Sequence, residues 1–207
     1  MAISDIAQIG PTMPARERIL TTAYRLFTRR GIRAVGTDEV IAQSGVAKAT
    51  LYRHFPSKND LVLAVLQRRE ELWTLGLVEQ QSRLRGDTPE EQLLAIFDVF
   101  HDWFQNHEDY DGCSFINVLL ELGAAHPAGQ ASIHYLDNIR QILRERAEAA
   151  CLVDVDDFAR SWHILMKGSI ITAAEGDLHA AQRAQAMGRA LIERHRAPAD
   201  AWTSHQG

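Results

Sequence analysis

The stretch Ser44-Gly45-Val46-Ala47-Lys48-Ala49-Thr50-Leu51-Tyr52-Arg53-His54-Phe55 decides the fold of the N-terminal part of this chain. Gly45 can end one helix in a left-handed conformation, and Pro56 ends the next. Leu51 and Phe55 are four residues apart and therefore lie on one face of that second helix. Two short helices joined at a glycine predict a helix-turn-helix motif, whose second helix lies in the major groove of DNA.

Helical patterns continue on the N-terminal side of this motif. An apolar face that runs from Ile19 to Phe27 predicts a first helix, which ends at Gly31. Thr37 is expected to be the N-cap of a second, short helix, because two acidic residues then occupy its first turn near the positive end of the helix dipole. Residues 14–60, called the head below, are thus predicted to contain three helices.

The rest of the chain also has helical periodicity. Ser57 and Asp60 predict a capping box at the start of a long helix that runs towards Arg85, and Thr88-Pro89-Glu90-Glu91 predicts the start of the next helix. Further patterns cover about residues 114–122, 129–150, 155–174 and 178–195, after a polar stretch at 106–112. No stretch of six or more residues alternates strictly, so the predicted fold class is all-α. Residues 1–13 and 197–207 are expected to be flexible tails.

Positive charge is concentrated in the helix-turn-helix segment. Residues 14–60 hold nine basic and four acidic residues, a net charge of +5, although the whole chain has a formal net charge of −5. The remainder therefore carries −10. A basic segment joined to an acidic remainder favours a polyanion such as double-stranded DNA as the partner of the N-terminal part.

Small and polar residues of the predicted recognition helix are the candidates for contact with DNA. A small residue lets the backbone approach, a hydroxyl can bond to a base or a phosphate, and ammonium, phenol and imidazole groups suit phosphate oxygens. The helix N-termini near Thr37 and Lys58 offer amide N–H groups to phosphates on either side of the groove. The candidate DNA-binding residues are Thr37, Lys48, Ala49, Thr50, Tyr52, His54 and Lys58.

Over about residues 14–64 the sequence resembles the TetR family of one-component transcriptional regulators. The resemblance is carried by Gly31-Ile32-Arg33-Ala34-Val35-Gly36-Thr37, by Val40-Ile41-Ala42, by the 44–55 stretch and by Ser57-Lys58-Asn59-Asp60-Leu61. It implies a DNA-binding head at 14–60, joined by a long helix to a helical ligand-binding and dimerisation domain at 61–196. Many members have Ser where this chain has Ala47, so the usual side-chain cap of the recognition helix is not expected here.

The C-terminal half carries many aromatic side chains on predicted helices. They exceed what one interior face requires and so permit a pocket that also contains a few polar groups, Glu121 among them. For any single residue, a place in the core is the commoner outcome. The candidate pocket residues are Phe97, Phe100, Trp103, Phe104, Phe115, Asn117, Trp162, His163 and Met166.

The last two predicted helices are rich in Gly, Ala and Ser, which lets helices approach closely, as a dimeric four-helix bundle requires. A homodimer would place two recognition helices about 34 Å apart, over the half-sites of a palindromic operator. The sequence has no apolar run of about 20 residues and no leader pattern, so a cytoplasmic protein without contact to a membrane is expected.

Enzyme and metal motifs are incomplete. Gly31 and Gly36 are spaced as in a phosphate-binding loop, but no Lys-Ser/Thr pair follows them, and the residues from His107 on match neither a zinc-protease motif nor a calcium loop. Cys113 and Cys151 are isolated and are expected to be reduced thiols. No enzyme, metal or cofactor is therefore expected.

Together these patterns predict a sequence-specific DNA-binding transcriptional regulator, a repressor that a small, largely apolar inducer releases from its operator. The sequence leaves three alternatives open: a ligand-independent regulator, a regulator that responds to oxidation of a cysteine, and a helical enzyme.

Overall fold

The computed structural model describes residues 13–106 and 112–197. In these ranges the chain consists of helices and their connections, with one isolated antiparallel bridge between Leu152 and Arg196. The all-α prediction is confirmed. Almost all of the predicted tails, and most of the polar stretch at 106–112, lie outside the described residues.

The helices begin and end close to the predicted positions. Within the described ranges none of them is long and apolar enough to cross a membrane. In chain order the elements are α1 (Ala15–Arg30), α2 (Thr37–Ser44), α3 (Lys48–His54), α4 (Lys58–Arg69), a π-helical segment (Glu70–Gln81), α5 (Ser82–Leu84), α6 (Pro89–Gln105), α7 (Ser114–Leu122), α8 (Pro127–Ala149), α9 (Val155–Ala174) and α10 (Ala180–Arg194).

Both predicted capping boxes are present. The Ser57 hydroxyl accepts the N–H of Asp60, and the Asp60 carboxylate accepts the N–H of Ser57 at 2.9 Å. Thr88 and Glu91 exchange the equivalent pair of bonds at the start of α6. The exposed hydroxyl and carboxylate groups therefore fix where α4 and α6 begin.

One local prediction was wrong. Gly36, not Thr37, is the N-cap of α2, so Thr37 lies in the first turn and its side chain makes no capping bond. The predicted long helix after Ser57 does continue to Leu84, but residues 70–81 of it adopt π-helical hydrogen bonding. Apolar periodicity indicates a helix but does not distinguish i→i−4 from i→i−5 bonding over such a stretch.

The described chain divides into two compact units. The first contains residues 13–74 and 112–136, and the second contains residues 75–106 and 137–197. Neither unit has its boundary between residues 60 and 61, so the division into functional parts at this position stays a prediction. α7 packs against α4, and α7 and the first part of α8 belong to the same unit as the N-terminal helices.

The first unit is held together by an apolar core and by one buried cation. Ile19 and Leu61 are fully buried. Arg69 at the end of α4 is also buried, and its guanidinium donates to the Tyr24 hydroxyl at 3.0 Å and to the Gly112 carbonyl at 3.1 Å. These two bonds fix α4 to α1 and to the chain that leads into α7.

The second unit has an aromatic core and a buried polar group. Trp162 on α9 packs against Phe97 on α6 with ring centroids 5.3 Å apart, and Gly188 on α10 leaves the space that the indole fills. Arg146 on α8 is buried and bonds to the Ser82 hydroxyl at 2.7 Å and to the Glu79 carboxylate at 2.8 Å. Partners for this guanidinium compensate much of the cost of its burial.

The bidentate ion pair between α1 and α4 makes the stability of the first unit depend on pH. Arg68 donates to both carboxylate oxygens of Glu17, at 2.6 and 2.9 Å, and this hydrogen bonding lowers the pKa of Glu17 below its ordinary value of 4.5. A folded-state pKa below the unfolded one stabilises the fold above the unfolded value, and this contribution is lost as the pH falls through the folded value. We expect Glu17→Gln to lower the free energy of unfolding by about 1–2 kcal/mol near neutral pH, measured by urea denaturation.

The deficit of Glu17→Gln should shrink as the pH falls from 4.5 through the lowered pKa of folded Glu17, because wild-type Glu17 then becomes protonated in the folded state as well. Glu39→Gln is the control, since its partner Arg30 is more exposed than Arg68, and loss of the Arg30–Glu39 pair should cost at most about 1 kcal/mol. An equal deficit in acid and at neutral pH would show that the ion pair is not the cause.

Candidate nucleic-acid interface

The turn between α2 and α3 has the geometry of a helix-turn-helix. Gly45 adopts the left-handed conformation, with φ of 63°, and its N–H bonds to the carbonyl of Ile41 to end α2. α3 then starts at Lys48 with Ala47 as an N-cap that makes no side-chain bond, as the substitution for Ser predicts. Leu51 is fully buried, which fixes the face that α3 turns towards the core.

The opposite face of α3 is exposed and carries the expected residues. Lys48, Ala49 and Tyr52 are exposed, whereas Thr50 and His54 are half-buried at the edge of this face. The surface formed by the exposed side of α3 is called the α3 face below.

Two contacts connect the α3 face to α2. The hydroxyls of Tyr52 and Thr37 lie 3.3 Å apart, and Lys48 Nζ lies 3.3 Å from Asp38 Oδ1. Both contacts are exposed and therefore weak. They orient the side chains, and a binding partner could replace them at a small cost in free energy. Thr37 is thus connected to the α3 face by its contact with the Tyr52 hydroxyl, and not by capping a helix.

Lys58 has a definite structural role in addition to the predicted one. Its Nζ donates to the Ile32 carbonyl at 2.6 Å and lies 5.9 Å from the centre of the Phe27 ring. An ammonium group has three donors, so contact with a phosphate is still compatible with this bond. The part of Lys58 as a phosphate anchor stays a prediction.

Arg53 was missed by the sequence reasoning. It is exposed and follows Tyr52 directly on α3. Its positive charge was the signal in the sequence. That charge contributes to the basic segment at residues 14–60, but the pattern alone did not place it on the DNA-facing surface. An exposed guanidinium beside Tyr52 is suited to a phosphate of the DNA backbone.

The connection between α1 and α2 is fixed by a carboxylate from α7. Glu121 Oε2 accepts the N–H of Ile32 at 2.9 Å, and Oε1 accepts the N–H of Arg33 at 2.6 Å. Gly31 precedes them with φ of 81°, and a Cβ at this position would lie 3.1 Å from Glu121 Oε2. This arrangement, the Glu121 clamp, joins residues almost ninety positions apart, so the only local signal for it was the glycine.

Comparison with known proteins agrees with this geometry. The family model of the bacterial regulatory proteins of the tetR family matches residues 19–65, from α1 into α4. The transcriptional activator FasR of Mycolicibacterium smegmatis is 38% identical over 100 residues, which are 47% of this chain and 45% of FasR. The transcriptional regulator AcrR of Shigella flexneri is 26% identical over 184 residues, 81% of this chain and 80% of AcrR. A solved TetR-family transcriptional regulator from Streptomyces coelicolor superposes with a TM-score of 0.79 at 26% identity, over 88% of this chain and 96% of that one.

The chain belongs to the TetR family. Its match spans less than half the length of FasR, so the activity in the name of FasR describes that protein. The reduced form of NemR from E. coli, with a TM-score of 0.77 at 21% identity over 89% of this chain and 98% of NemR, shares the fold. FasR, AcrR and the Streptomyces coelicolor protein are transcriptional regulators, in agreement with the expectation of a regulator rather than an enzyme.

The nine pocket candidates of this TetR-family chain fall in both units. Phe115 and Asn117 lie on α7 in the first unit, and the others lie on α6 and α9 in the second. Those on α6 and α9 are at most 5% exposed. Their rings pack on one another in steps such as Phe97–Phe100 and Phe100–Phe104, with centroids 6.4 and 5.8 Å apart. A role in ligand binding stays a prediction for this set.

His163 and the two cysteines have distinct environments. Burial, together with the nearby charges of Lys167 and Arg140, lowers the pKa of His163 to about 3, so its imidazole is neutral near pH 7. Cys113 is buried and Cys151 is exposed. Over residues 13–106 and 112–197, no three metal-ligating side chains are grouped closely enough to hold an ion.

The Glu121 clamp can be tested by amide hydrogen exchange. Glu121→Ala removes both acceptors, and we expect the amides of Ile32 and Arg33 to exchange about 10- to 100-fold faster, because each lost bond is charge-assisted. In Glu121→Gln one oxygen remains, so one of the two amides should keep most of its protection. The amide of Val40, which bonds to the Gly36 carbonyl, is the internal control. Unchanged exchange at Ile32 and Arg33 in Glu121→Ala would contradict the clamp.

Proposed function

We propose that this TetR-family protein is a homodimeric, sequence-specific DNA-binding transcriptional regulator. The observation that carries the proposal is the α3 face: Leu51 is buried on one side of α3, while Lys48, Ala49, Tyr52 and Arg53 are exposed on the other. A short helix after a tight glycine turn, with a small residue and hydrogen-bonding groups on its outer side, suits insertion into the major groove.

Charge and helix ends support the same surface. The net charge of +5 over residues 14–60 attracts the phosphate backbone, and the N-termini of α2 and α4 direct amide N–H groups outward near Thr37 and Ser57. In this proposal Ala49 and Thr50 contact base edges. Lys48, Tyr52, Arg53, His54 and Lys58 contact phosphates together with Thr37.

The proposed homodimer uses α9 and α10 in the second unit. Ile164 and Met187 are 66% and 60% exposed, and together with Leu165 and Leu191 they line an open apolar groove of about 400 Å³ between the two helices. Exposed apolar side chains on adjacent helices favour burial against a second copy in a four-helix bundle. Such a dimer has twofold symmetry, so its operator is expected to be palindromic.

The proposed regulation is release from the operator by a small, largely apolar molecule. The DNA-binding part at 14–60 and the ligand-binding and dimerisation part at 61–196 are then coupled, and the Glu121 clamp is a physical contact between them. A ligand that favours the DNA-free conformation lowers the affinity for DNA by its differential binding free energy. With an operator that overlaps a promoter, such a protein is a repressor.

The number of contacts with DNA phosphates can be measured from the way the binding constant depends on salt concentration. A duplex selected from a random pool by the wild-type chain is titrated by fluorescence anisotropy at several salt concentrations. We expect Arg53→Gln to weaken binding and to reduce the slope of log K against log salt by about 0.9, the value for one phosphate contact. Tyr52→Phe should weaken binding without unfolding the chain, because the ring remains and only the hydroxyl is removed.

Arg189→Gln is the matched control, since Arg189 is an exposed arginine on α10 in the second unit. It should leave both affinity and slope unchanged. Failure of the wild-type chain to select any duplex, or an Arg53→Gln slope equal to that of wild type, would overturn the assignment of the α3 face.

The dimer surface can be tested by multi-angle light scattering. Ile164→Asp places a charge in the proposed interface, and we expect the measured mass to fall from that of a dimer to the 23.2 kDa of one chain. Leu120→Asp makes a comparable change at a residue on α7 that is 79% exposed, and it should leave the dimer intact. A dimeric Ile164→Asp protein would place the interface on another surface.

A further inference from the structure

The first unit contains a cavity of about 210 Å³ between the end of α1, α4 and α7. Its wall from α4 is aliphatic, formed by Val62, Val65 and Leu66. Its wall from α7 is partly polar and includes Ser114 and Asn117, with Glu121 at the α1–α2 connection. An apolar hollow with a few polar groups on one side is the usual composition of a small-molecule site.

Ser114 points to an occupant of this cavity. The residue is 7% exposed, and its hydroxyl oxygen is buried without a hydrogen-bond partner among the described residues. A buried hydroxyl without a partner is unfavourable, so a cavity that it lines is expected to supply one. Ser132 on α8 provides the contrast within the same unit, because its buried hydroxyl donates to the Ala128 carbonyl at 2.8 Å.

We propose that this cavity binds a small, neutral aromatic molecule that carries one N–H or O–H group. Sites for drug-sized molecules have volumes of about 300–1,000 Å³, so a cavity of 210 Å³ suits a molecule of one ring or two fused rings. The aliphatic wall favours an apolar ring. The ligand donor bonds to the Ser114 hydroxyl, the cavity oxygen that still needs a partner.

A neutral ligand fits the charges better than an ion does. Glu121 is the carboxylate of the cavity, and its two oxygens already accept the N–H groups of Ile32 and Arg33. Arg29 also lines the cavity. A cation would have to draw the Glu121 carboxylate away from the clamp and would face the charge of Arg29, whereas an anion attracted by Arg29 would face Glu121, and either ion would lose its own hydration. A neutral donor avoids both costs.

The site shares residues with the Glu121 clamp, which gives the ligand a regulatory effect. Gly31, Ile32 and Glu121 belong to both the cavity wall and the clamp. In the proposed regulation the ring binds more tightly to a state in which α7 and the α1–α2 connection lie further apart, and this preference weakens the hold on α2. This second step rests on the proposed DNA-binding function, whereas binding of the ligand does not.

Indole is the probe, because it is neutral, has two fused rings and carries one N–H group. Isothermal titration calorimetry of the full chain is expected to show saturable binding of indole. Ser114→Ala should weaken it about threefold to tenfold, the loss of one hydrogen bond. Ser132→Ala, the same change at a partnered hydroxyl outside the cavity, should bind as wild type does. 1-Methylindole, which lacks the N–H donor, should bind the wild-type and Ser114→Ala proteins equally.

Val118→Phe tests the volume of the cavity. Val118 is a buried wall residue on α7, and the larger side chain should abolish indole binding in a protein whose thermal unfolding remains cooperative. If this variant does not fold, the Ser114→Ala result decides. Absence of indole binding up to its solubility limit, or equal affinity for wild type and Ser114→Ala, would overturn the proposed site.

The regulatory step is tested separately by adding indole to the complex of the chain with its selected duplex. We expect DNA affinity to fall at least about tenfold in wild type at saturating indole, which lies in the usual range of coupling between sites. Saturable indole binding with unchanged DNA affinity would overturn the coupling. Indole binding with the predicted variant pattern, in a chain that selects no DNA, would support the site and overturn the DNA-binding proposal.

Discussion

The position of the DNA-facing helices depends on one carboxylate. Glu121 holds the connection between α1 and α2 through the amides of Ile32 and Arg33, while Lys58 holds the Ile32 carbonyl from the start of α4. The backbone of this connection is therefore bonded on both its donor and its acceptor sides by charged groups, which form stronger hydrogen bonds than neutral ones. Gly31 is favoured because its φ of 81° is strained for residues with a side chain, and a Cβ there would lie 3.1 Å from Glu121 Oε2, closer than an ordinary van der Waals contact. This arrangement fixes the connection that leads into α2, while packing against α1 also orients α2 and α3.

The α3 face shows how the same small motif serves folding and recognition. Leu51 and Phe55 supply the buried side, and Arg16 lies 5.3 Å from the centre of the Phe55 ring. The outer side is left to Lys48, Ala49 and Tyr52, whose contacts with α2 are exposed and weak. The buried side of α3 therefore makes the strong packing contacts, and its exposed side makes weak contacts that a binding partner can replace. In the proposed function, this division orders the surface before it meets DNA, and little energy is lost when phosphates replace the partners of its side chains.

The helices could be predicted because their signals lie close together in the sequence. Features that depend on contacts between distant residues could not be predicted. Ser57-Asp60 and Thr88-Glu91 are capping boxes whose partners lie three residues apart, so they can be recognised in sequence. The N-cap of α2 was placed one residue too late, at Thr37, because Gly36 can serve as an N-cap without a side chain. The grouping of α7 with the head could not be predicted, since it depends on contacts such as Glu121 with Ile32, 89 positions apart. The aromatic residues of α6 and α9 were correctly expected to be inside, but burial and pocket lining have the same composition, and the sequence does not separate them.

The energies of the clamp and of regulation can be compared directly. A hundredfold change in DNA affinity requires about 2.8 kcal/mol of coupling free energy. Hydrogen bonds to charged groups contribute about 1.5–3 kcal/mol each, so loss of one or both bonds from Glu121 to Ile32 and Arg33 is of the required size. A ligand need not rearrange the aromatic core of the second unit, where tightly packed rings make small displacements costly. It needs only to favour the state in which the connection after α1 is released. In the proposed regulation, a small molecule in the cavity beside Glu121 therefore acts directly on the bonds whose loss would release the connection to α2 and α3.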